Sequence, residues 1–437
     1  MGAVGTPIAV KDAASLSAEL TRVADICQGC RRCFSLCPSF DVLFKGLDVA
    51  EVDGEAEKLP KKIFDDFVDL CYECKLCLPH CPYIPPHRWA VDVPHLVLES
   101  RNIRMVETGL PLRERLLSRP DALGRLARPI APIANFVNTL PLARWALEKT
   151  LGVSAEKHLP RFVWRTFTAW FETREAPVQT VEPVAKVVLF PTCSVEWNRP
   201  EIGQAAVAVL EKNRVEVAVA YPQCCGMPLF DVGDIAGADE ARRTFVASMK
   251  SWVDRGYTIV TPGPSCSLMI KKEYPWLEKR SGEENAAASA ARAMQAVVTD
   301  TQAVAANTRD LFEFLAELKA KGLLALDFPN APKSIAYHLP CHLKVQNMGF
   351  KSRDLLAATG AAVTMVEKCS GHDGTWAMKE EYFDTSMVVG KKLFEGLAAA
   401  RADVYASDCV LAGVQIHQGM NVAVKHPIEV LRDAYGL

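Results

Sequence analysis

From Ala185 onward, short runs of β-branched and apolar residues alternate with longer stretches at helical spacing, a pattern that predicts parallel strands joined by helices. Three of these runs, over 186–193, 215–225 and 257–266, each end in cysteine. The same three recur over 333–341, 361–369 and 402–409. In the first set Cys193, Cys224 and Cys266 lie 31 and 42 residues apart, and in the second Cys341, Cys369 and Cys409 lie 28 and 40 apart. Agreement this close means two lobes of one design. Helical spacing over 201–213, 239–255, 351–360 and 385–401 supplies the crossovers, which are right-handed in parallel sheets. Ligands of open parallel sheets sit beyond the carboxyl ends of the strands, where each of these cysteines is expected.

Ahead of the lobes the pattern is helical. A polar leader of about 20 residues gives way to a short helix from Leu16, and a second helix, over 60–70, sets Ile63, Phe64, Phe67 and Leu70 on a buried face. From Arg88 to about Pro183, helices over 110–117, 133–151 and 161–171 are broken by Pro111, Pro120, Pro129, Pro132, Pro141 and Pro160. Two of these stretches mix basic and bulky apolar residues. In one, Arg144 and Lys149 accompany Trp145 and Leu147; in the other, Arg161 and Arg165 stand among Phe162, Trp164, Phe167, Trp170 and Phe171. Such a stretch can lie in a membrane interface or dock on a partner; packing against the rest of the protein is the plainer reading. The alanine-rich link 281–332 reads as a helical connector with Asn307 or Thr308 as N-cap. The expected domains are 1–100, 101–184, 185–280, 281–332 and 333–437.

The chain has 437 residues, enough for two or three domains. Lys plus Arg number 50 against 52 for Asp plus Glu, so there is no electrostatic case for nucleic acid. Residues 1–19 lack a basic start followed by an apolar run, and no charge-free apolar run of about 18 residues occurs, so neither a secretory signal nor a membrane span is expected. Fifteen cysteines gathered in tight runs suit metal ligation in a reducing cytosol better than a disulfide scaffold. The expected location is cytoplasmic, with any membrane contact peripheral and at the inner face.

The densest runs are Cys27-Gln-Gly-Cys30-Arg-Arg-Cys33-Phe-Ser-Leu-Cys37-Pro38 and Cys71-Tyr-Glu-Cys74-Lys-Leu-Cys77-Leu-Pro-His-Cys81-Pro82. Both read C-x2-C-x2-C-x3-C-P, the spacing that wraps a loop around a cubane iron–sulfur cluster and lends its fourth thiolate to the other cluster. By that crossing rule, Cys27, Cys30, Cys33 and Cys81 hold one [4Fe-4S] cluster, and Cys71, Cys74, Cys77 and Cys37 the second. Structural zinc is the alternative, but it more often uses paired Cys-x2-4-Cys or added His.

Three further motifs, Pro-Gln-Cys224-Cys225-Gly226-Met-Pro, Gly-Pro-Ser-Cys266 and Tyr-His338-Leu-Pro-Cys341-His342, resemble the cysteine-rich (CCG) domains of the B and D subunits of heterodisulfide reductase. Two ferredoxin runs followed by two such domains give a layout similar to that of the CCG-domain iron–sulfur oxidoreductases. That family includes the C subunit of anaerobic glycerol-3-phosphate dehydrogenase, glycolate oxidase iron–sulfur subunits and lactate-oxidation proteins. The likeness runs from Cys27 on, outside the proline-broken insert and the link. It implies a mixed α+β and α/β fold: an α-helical ferredoxin-like N-terminal module with two cubane clusters, then two pseudo-repeated α/β CCG lobes. It also implies a further iron–sulfur cluster or metal site in the lobes. For that site the first lobe offers Cys193, Cys224, Cys225 and Cys266. The second lobe departs from the pattern, because Ser370 replaces the second cysteine of the pair and leaves Cys341, Cys369 and Cys409. The closing Cys-x2-Cys of the family has lost its last cysteine in both lobes, to Met269 and Ala412, so a five-thiolate cluster lacks its full ligand set. His338, His342 and His372 stand beside the remaining cysteines and could complete a mixed Cys/His site. Hydrogen-bonded core histidines and buried structural cysteines are the alternatives.

The resemblance implies an electron-transfer subunit, a component of an oxidoreductase. It would relay electrons between a redox partner, such as a flavoprotein dehydrogenase, and a quinone or other acceptor. No Gly-x-Gly-x-x-Gly follows a strand, so oxidation of an organic substrate would belong to the partner. A heterodisulfide-reductase-like reductase, acting on a disulfide or small oxidant at the lobe site, is the second reading. A zinc-loaded scaffold is the third.

Overall fold

The structure, a computed structural model, describes residues 6–175, 181–284, 298–372 and 374–437. The chain divides into two compact units, Met1–Arg115 with Pro228–Ile235, and Leu116–Met227 with Ala236–Leu437.

The first unit is helical among its described residues. Its opening helix, Ala13–Cys30, begins three residues earlier than expected because Asp12 caps it, with its carboxylate accepting from Ser15 N and its own N–H donating to Ser15 Oγ. This helix carries Cys27 and Cys30 in its last turn, and Lys61–Leu70 ends directly before Cys71. Pro38 opens the next helix, Pro38–Leu47, at a position where its missing N–H leaves no bond unmade. Phe67 is buried as its spacing predicts, whereas Ile63, Phe64 and Leu70 are half-buried. Leu43, Phe44, Leu47 and Val97 complete the core, and Cys27, Cys33, Cys37, Cys71, Cys77 and Cys81 pack against it.

The second unit contains two parallel sheets. The first comprises β1 (Ala185–Leu189), β2 (Val215–Val219), β3 (Thr258–Thr261) and β4 (Thr308–Asp310), in the order β2-β1-β3-β4. The other comprises β5 (Ser334–His338), β6 (Ala362–Val366), β7 (Val404–Ser407) and β8 (Val424–Lys425), in the order β6-β5-β7-β8. Every pairing is parallel. Both faces of the second sheet are covered: Ile335 and Tyr337 point into one core, and Ala336 between them points into another with Leu393 and Ile416. Burial on two sides explains why the central residues of β5 are apolar on both faces.

Strands β4 and β8 escape the sequence pattern because three and two residues are too few to show a period. The link between the lobes therefore needs correcting. Thr308 is in β4, and the helix behind it, Leu311–Ala320, is capped by Asp310, whose partner in the capping box is Glu313.

In the insert, Pro120, Pro132 and Pro141 sit in the first turns of the helices Pro120–Ala127, Ala131–Val137 and Pro141–Leu151, so they start helices where breaks were expected. The helix expected over 161–171 is shorter, Phe167–Thr173, capped by Thr166. Packing divides this stretch. Arg144 and Phe167 are buried and Trp170 and Phe171 lie against the core, while Trp145 and Trp164 are exposed.

Candidate functional site

The first cysteine run leaves its helix through Arg31, whose left-handed φ of 52° ends Ala13–Cys30 and turns Cys33 back toward Cys27. Cys27, Cys30 and Cys33 then line one cavity with Cys81 of the second run, closed by Ile26, Phe44, Tyr83 and Val91. Burial, and then Cys33, Cys81 and Cys30 in that order, push the Cys27 thiol far up; burial and Cys81 push Cys33 to about 11. Around the second run, Cys71 is raised by burial, Glu73 and Cys37, and Cys77 by burial, Cys71 and Cys37. Each run thus meets the last cysteine of the other. Glu73 and Lys75, either side of Cys74, adopt left-handed backbone and are buried as an ion pair 3.5 Å long. Arg101 holds the start of this loop by donating to Cys71 O and Val68 O, and its positive charge opposes the rise at Cys71.

In the first lobe, Cys193 opens the helix Cys193–Trp197 just past β1, Cys224 and Cys225 follow β2, and Cys266 lies in Pro264–Leu268 past β3. The three strand ends bring the sulfurs into a chain. Cys193 hydrogen-bonds Cys224, Cys224 bonds Cys225, and Cys225 Sγ stands 3.2 Å from Cys266 Sγ. The Cys224 bond, then burial, raise the Cys193 thiol well above its ordinary value. Gly226 has φ +86° directly after the pair, a conformation that side-chain residues rarely adopt.

Asp121, from the insert, reaches this nest. Its Oδ2 accepts from Cys224 N at 2.7 Å, and its Oδ1 accepts from Trp197 Nε1 at 2.8 Å and from the Tyr221 hydroxyl at 2.5 Å. No sequence signal marks it, because its partners lie 76 to 103 residues away. On the far side the buried Tyr274 hydroxyl donates to Cys225 O at 2.9 Å.

In the second lobe, Cys341 opens the helix Cys341–Val345, Cys369 follows β6, and Cys409 caps Val410–Met420. Cys369 Sγ accepts from Gly371 N at 3.3 Å and Cys409 Sγ from Ala412 N at 3.4 Å. The three histidines differ. His338 is a satisfied core residue, bonded to Ser407 Oγ at 2.9 Å and pushed to about 4 by burial. His342 bonds Ser265 Oγ of the first lobe at 2.8 Å. His372 is buried with both ring nitrogens lacking a hydrogen-bond partner among the described residues, and burial holds it neutral.

The two lobes converge here. The Cys409 charge also raises Cys266, and Gln346 Nε2 donates to Ser267 Oγ at 2.9 Å. Among the described residues no group of three or more His, Cys, Asp or Glu is drawn together closely enough to hold a single metal ion. The donors around the N-terminal cavity are sulfurs spread over its wall, an arrangement that suits a multi-iron cluster.

Two protein-family profiles match the chain. A cysteine-rich domain (CCG) matches residues 187–271 and 335–416, and the Fer4-like domain of citrate utilization protein B matches residues 20–106. The C subunit of anaerobic glycerol-3-phosphate dehydrogenase from Escherichia coli K12 is 27% identical over 342 residues, which are 77% of this chain and 81% of that protein. Lactate utilization protein A of Bacillus cytotoxicus is 30% identical over 259 residues, 56% of this chain and 98% of the relative. That of Geobacillus kaustophilus is 30% identical over 261 residues, with the same coverage. With one relative matched along nearly its whole length and both lobes matched by the cysteine-rich profile, the chain belongs to the CCG-domain iron–sulfur oxidoreductase family.

Proposed function

We propose that this chain is the iron–sulfur electron-transfer subunit of a dehydrogenase complex. It relays electrons from a redox partner, a flavoprotein dehydrogenase, to a quinone or other acceptor, in peripheral contact with a membrane. The observation that carries this reading is the exchange of Cys37 and Cys81 between the two N-terminal runs, with Cys81 in the cavity lined by Cys27, Cys30 and Cys33. In this reading residues 1–100 hold two [4Fe-4S] clusters, one on Cys27, Cys30, Cys33 and Cys81 and the other on Cys71, Cys74, Cys77 and Cys37. Residues 185–280 and 333–437 are two copies of one lobe. A third iron–sulfur cluster or metal site sits in the lobes on Cys193, Cys224, Cys225 and Cys266, with Cys341, Cys369, Cys409, His342 and His372 as the second lobe's candidate ligands.

When bound, such clusters supply reversible one-electron storage. The protein's own part is to shape their surroundings. Ile26, Phe44 and Val91 give the first site apolar walls beside Arg31 and Arg32. Backbone donors, Tyr83 N to Cys81 Sγ at 3.4 Å and Gly371 N to Cys369 Sγ at 3.3 Å, stabilise thiolate charge and so raise potential. Asp121 opposes that effect at the first lobe by adding negative charge.

Iron and sulfide counting on anaerobically purified protein tests the reading. About twelve irons are expected from three clusters, taking four irons each; about eight would remove the lobe cluster, and a colourless zinc-loaded protein would sink the proposal. The heterodisulfide-reductase-like alternative draws on the buried ring of His372, whose nitrogens have no hydrogen-bond partner among the described residues. It would be preferred if reduced protein were discharged by a disulfide with no partner present.

A further inference from the structure

Among the described residues nineteen large apolar side chains are exposed, and nine of them fall within residues 126–164. They are not scattered. Leu126 lies in Pro120–Ala127, Ile130 ends the short turn Arg128–Ile130, Ile133 and Val137 stand about one turn apart in Ala131–Val137, and Leu140 is the extended residue before Pro141–Leu151, so a run of short consecutive elements carries one apolar stripe. That face would ordinarily be turned inward, yet Leu126 is 72% exposed and Ile133 63%. Phe136 lies beside it at 64%.

The adjoining loop is tied to the same helices. Arg128 Nε donates to Trp164 O at 3.2 Å, Asn135 Nδ2 donates to Phe162 O at 2.8 Å, and Phe162 N donates back to Asn135 Oδ1 at 2.9 Å. These bonds hold the loop that carries the exposed Trp164 against the same short helices. The charge of the region is one-sided. Across residues 116–165 the side chains of Arg119, Arg125, Arg128, Arg161 and Arg165 are exposed, against Glu156 as the one exposed acidic residue. The whole chain, in contrast, carries a net charge of −2.

We infer that this face of the insert docks on an anionic phospholipid bilayer, with the apolar stripe and Trp164 in the acyl boundary and the arginines among the headgroups. A basic helix surface with a continuous apolar face binds in this way, and tryptophan favours the interfacial depth. A second copy of the chain is a poorer occupant, because a twofold contact would set one arginine cluster against its equal. Contact is from the surface, since no described helix is long and apolar enough to cross a membrane. The inference deepens the proposed relay by naming the surface that meets the membrane.

The test is co-sedimentation of the full chain with vesicles of mixed phosphatidylglycerol and phosphatidylcholine, and with phosphatidylcholine alone. Retention on the mixed vesicles, weakened by salt, is expected. Arg125→Glu with Arg128→Glu should weaken partition at least tenfold, at about fivefold per arginine removed. Ile133→Asp with Phe136→Asp should abolish it, with the circular dichroism and thermal midpoint of both variants showing an intact fold. A wild type that stays in the supernatant at low salt, or that binds neutral and anionic vesicles alike, overturns the inference. So does a lipid-free dimer, seen by ultracentrifugation, that Ile133→Asp with Phe136→Asp disperses. Sedimentation needs no turnover, so failure here leaves the relay standing on its own iron count.

Discussion

Asp121 receives hydrogen bonds from Tyr221, Trp197 and Cys224 N, so its charge is held in place beside the first-lobe thiols. An anion that close disfavours added electrons. Asp121→Asn keeps the shape and removes the charge, and the lobe centre should move positive by on the order of 100 mV in a redox titration followed by electron paramagnetic resonance. An unmoved potential would mean that Asp121 only positions backbone. Cys225 is nearly inaccessible and central in the sulfur chain. Cys225→Ser should lower the iron count from about twelve to about eight and leave the N-terminal clusters in place. The grouping of Cys27, Cys30 and Cys33 with Cys81 on one cavity follows the spacing of the two runs, because each run is short and local. Asp121 was not legible, because a carboxylate that acts across 103 residues leaves no mark in the sequence beside it.

At the level of elements, the main lobe strands and their terminal cysteines could be read because each run is rich in β-branched and apolar residues and ends close to a cysteine. What the pattern could not supply was how the insert helix docks. Gly124 in Pro120–Ala127 lies against the Trp197 ring so closely that a Cβ there would come within 2.3 Å of it. Gly124→Ala should therefore lift this helix, cost about 1–3 kcal/mol of stability in urea unfolding, and shift the lobe potential in the same direction as Asp121→Asn. The two motif glycines need positive φ for the turn after the cysteine, +86° at Gly226 and +72° at Gly371. At Gly371 a Cβ would also meet Ser386 O, so the glycine persists in the lobe where the neighbouring cysteine has become Ser370.

Across the molecule the buried carboxylates set a pH dependence. Burial, and then the charge of Asp408, raise Asp310 from 3.8 to about 8. The stability contributed by its neutral form is fully present below pH 3.8 and is lost as pH rises to about 8. The unfolding free energy from urea titrations should therefore fall between about pH 4 and pH 8, by at most about 1.4 kcal/mol per pH unit, and level off above that. Asp310→Asn retains an acceptor for Phe312 N and should flatten the difference; an unchanged slope would assign the titration elsewhere. Residue order was enough to specify the helical ferredoxin-like module and the strand-end cysteines, since each rests on spacing within a few tens of residues, while the missing thiolates showed only against the pattern of the family that the chain resembles. Folding in three dimensions was needed to establish that Asp121 meets Cys224, that His338 is satisfied while His372 is not, and that the insert's apolar stripe faces outward. Those outcomes depend on which distant surfaces meet, and local periodicity cannot encode that.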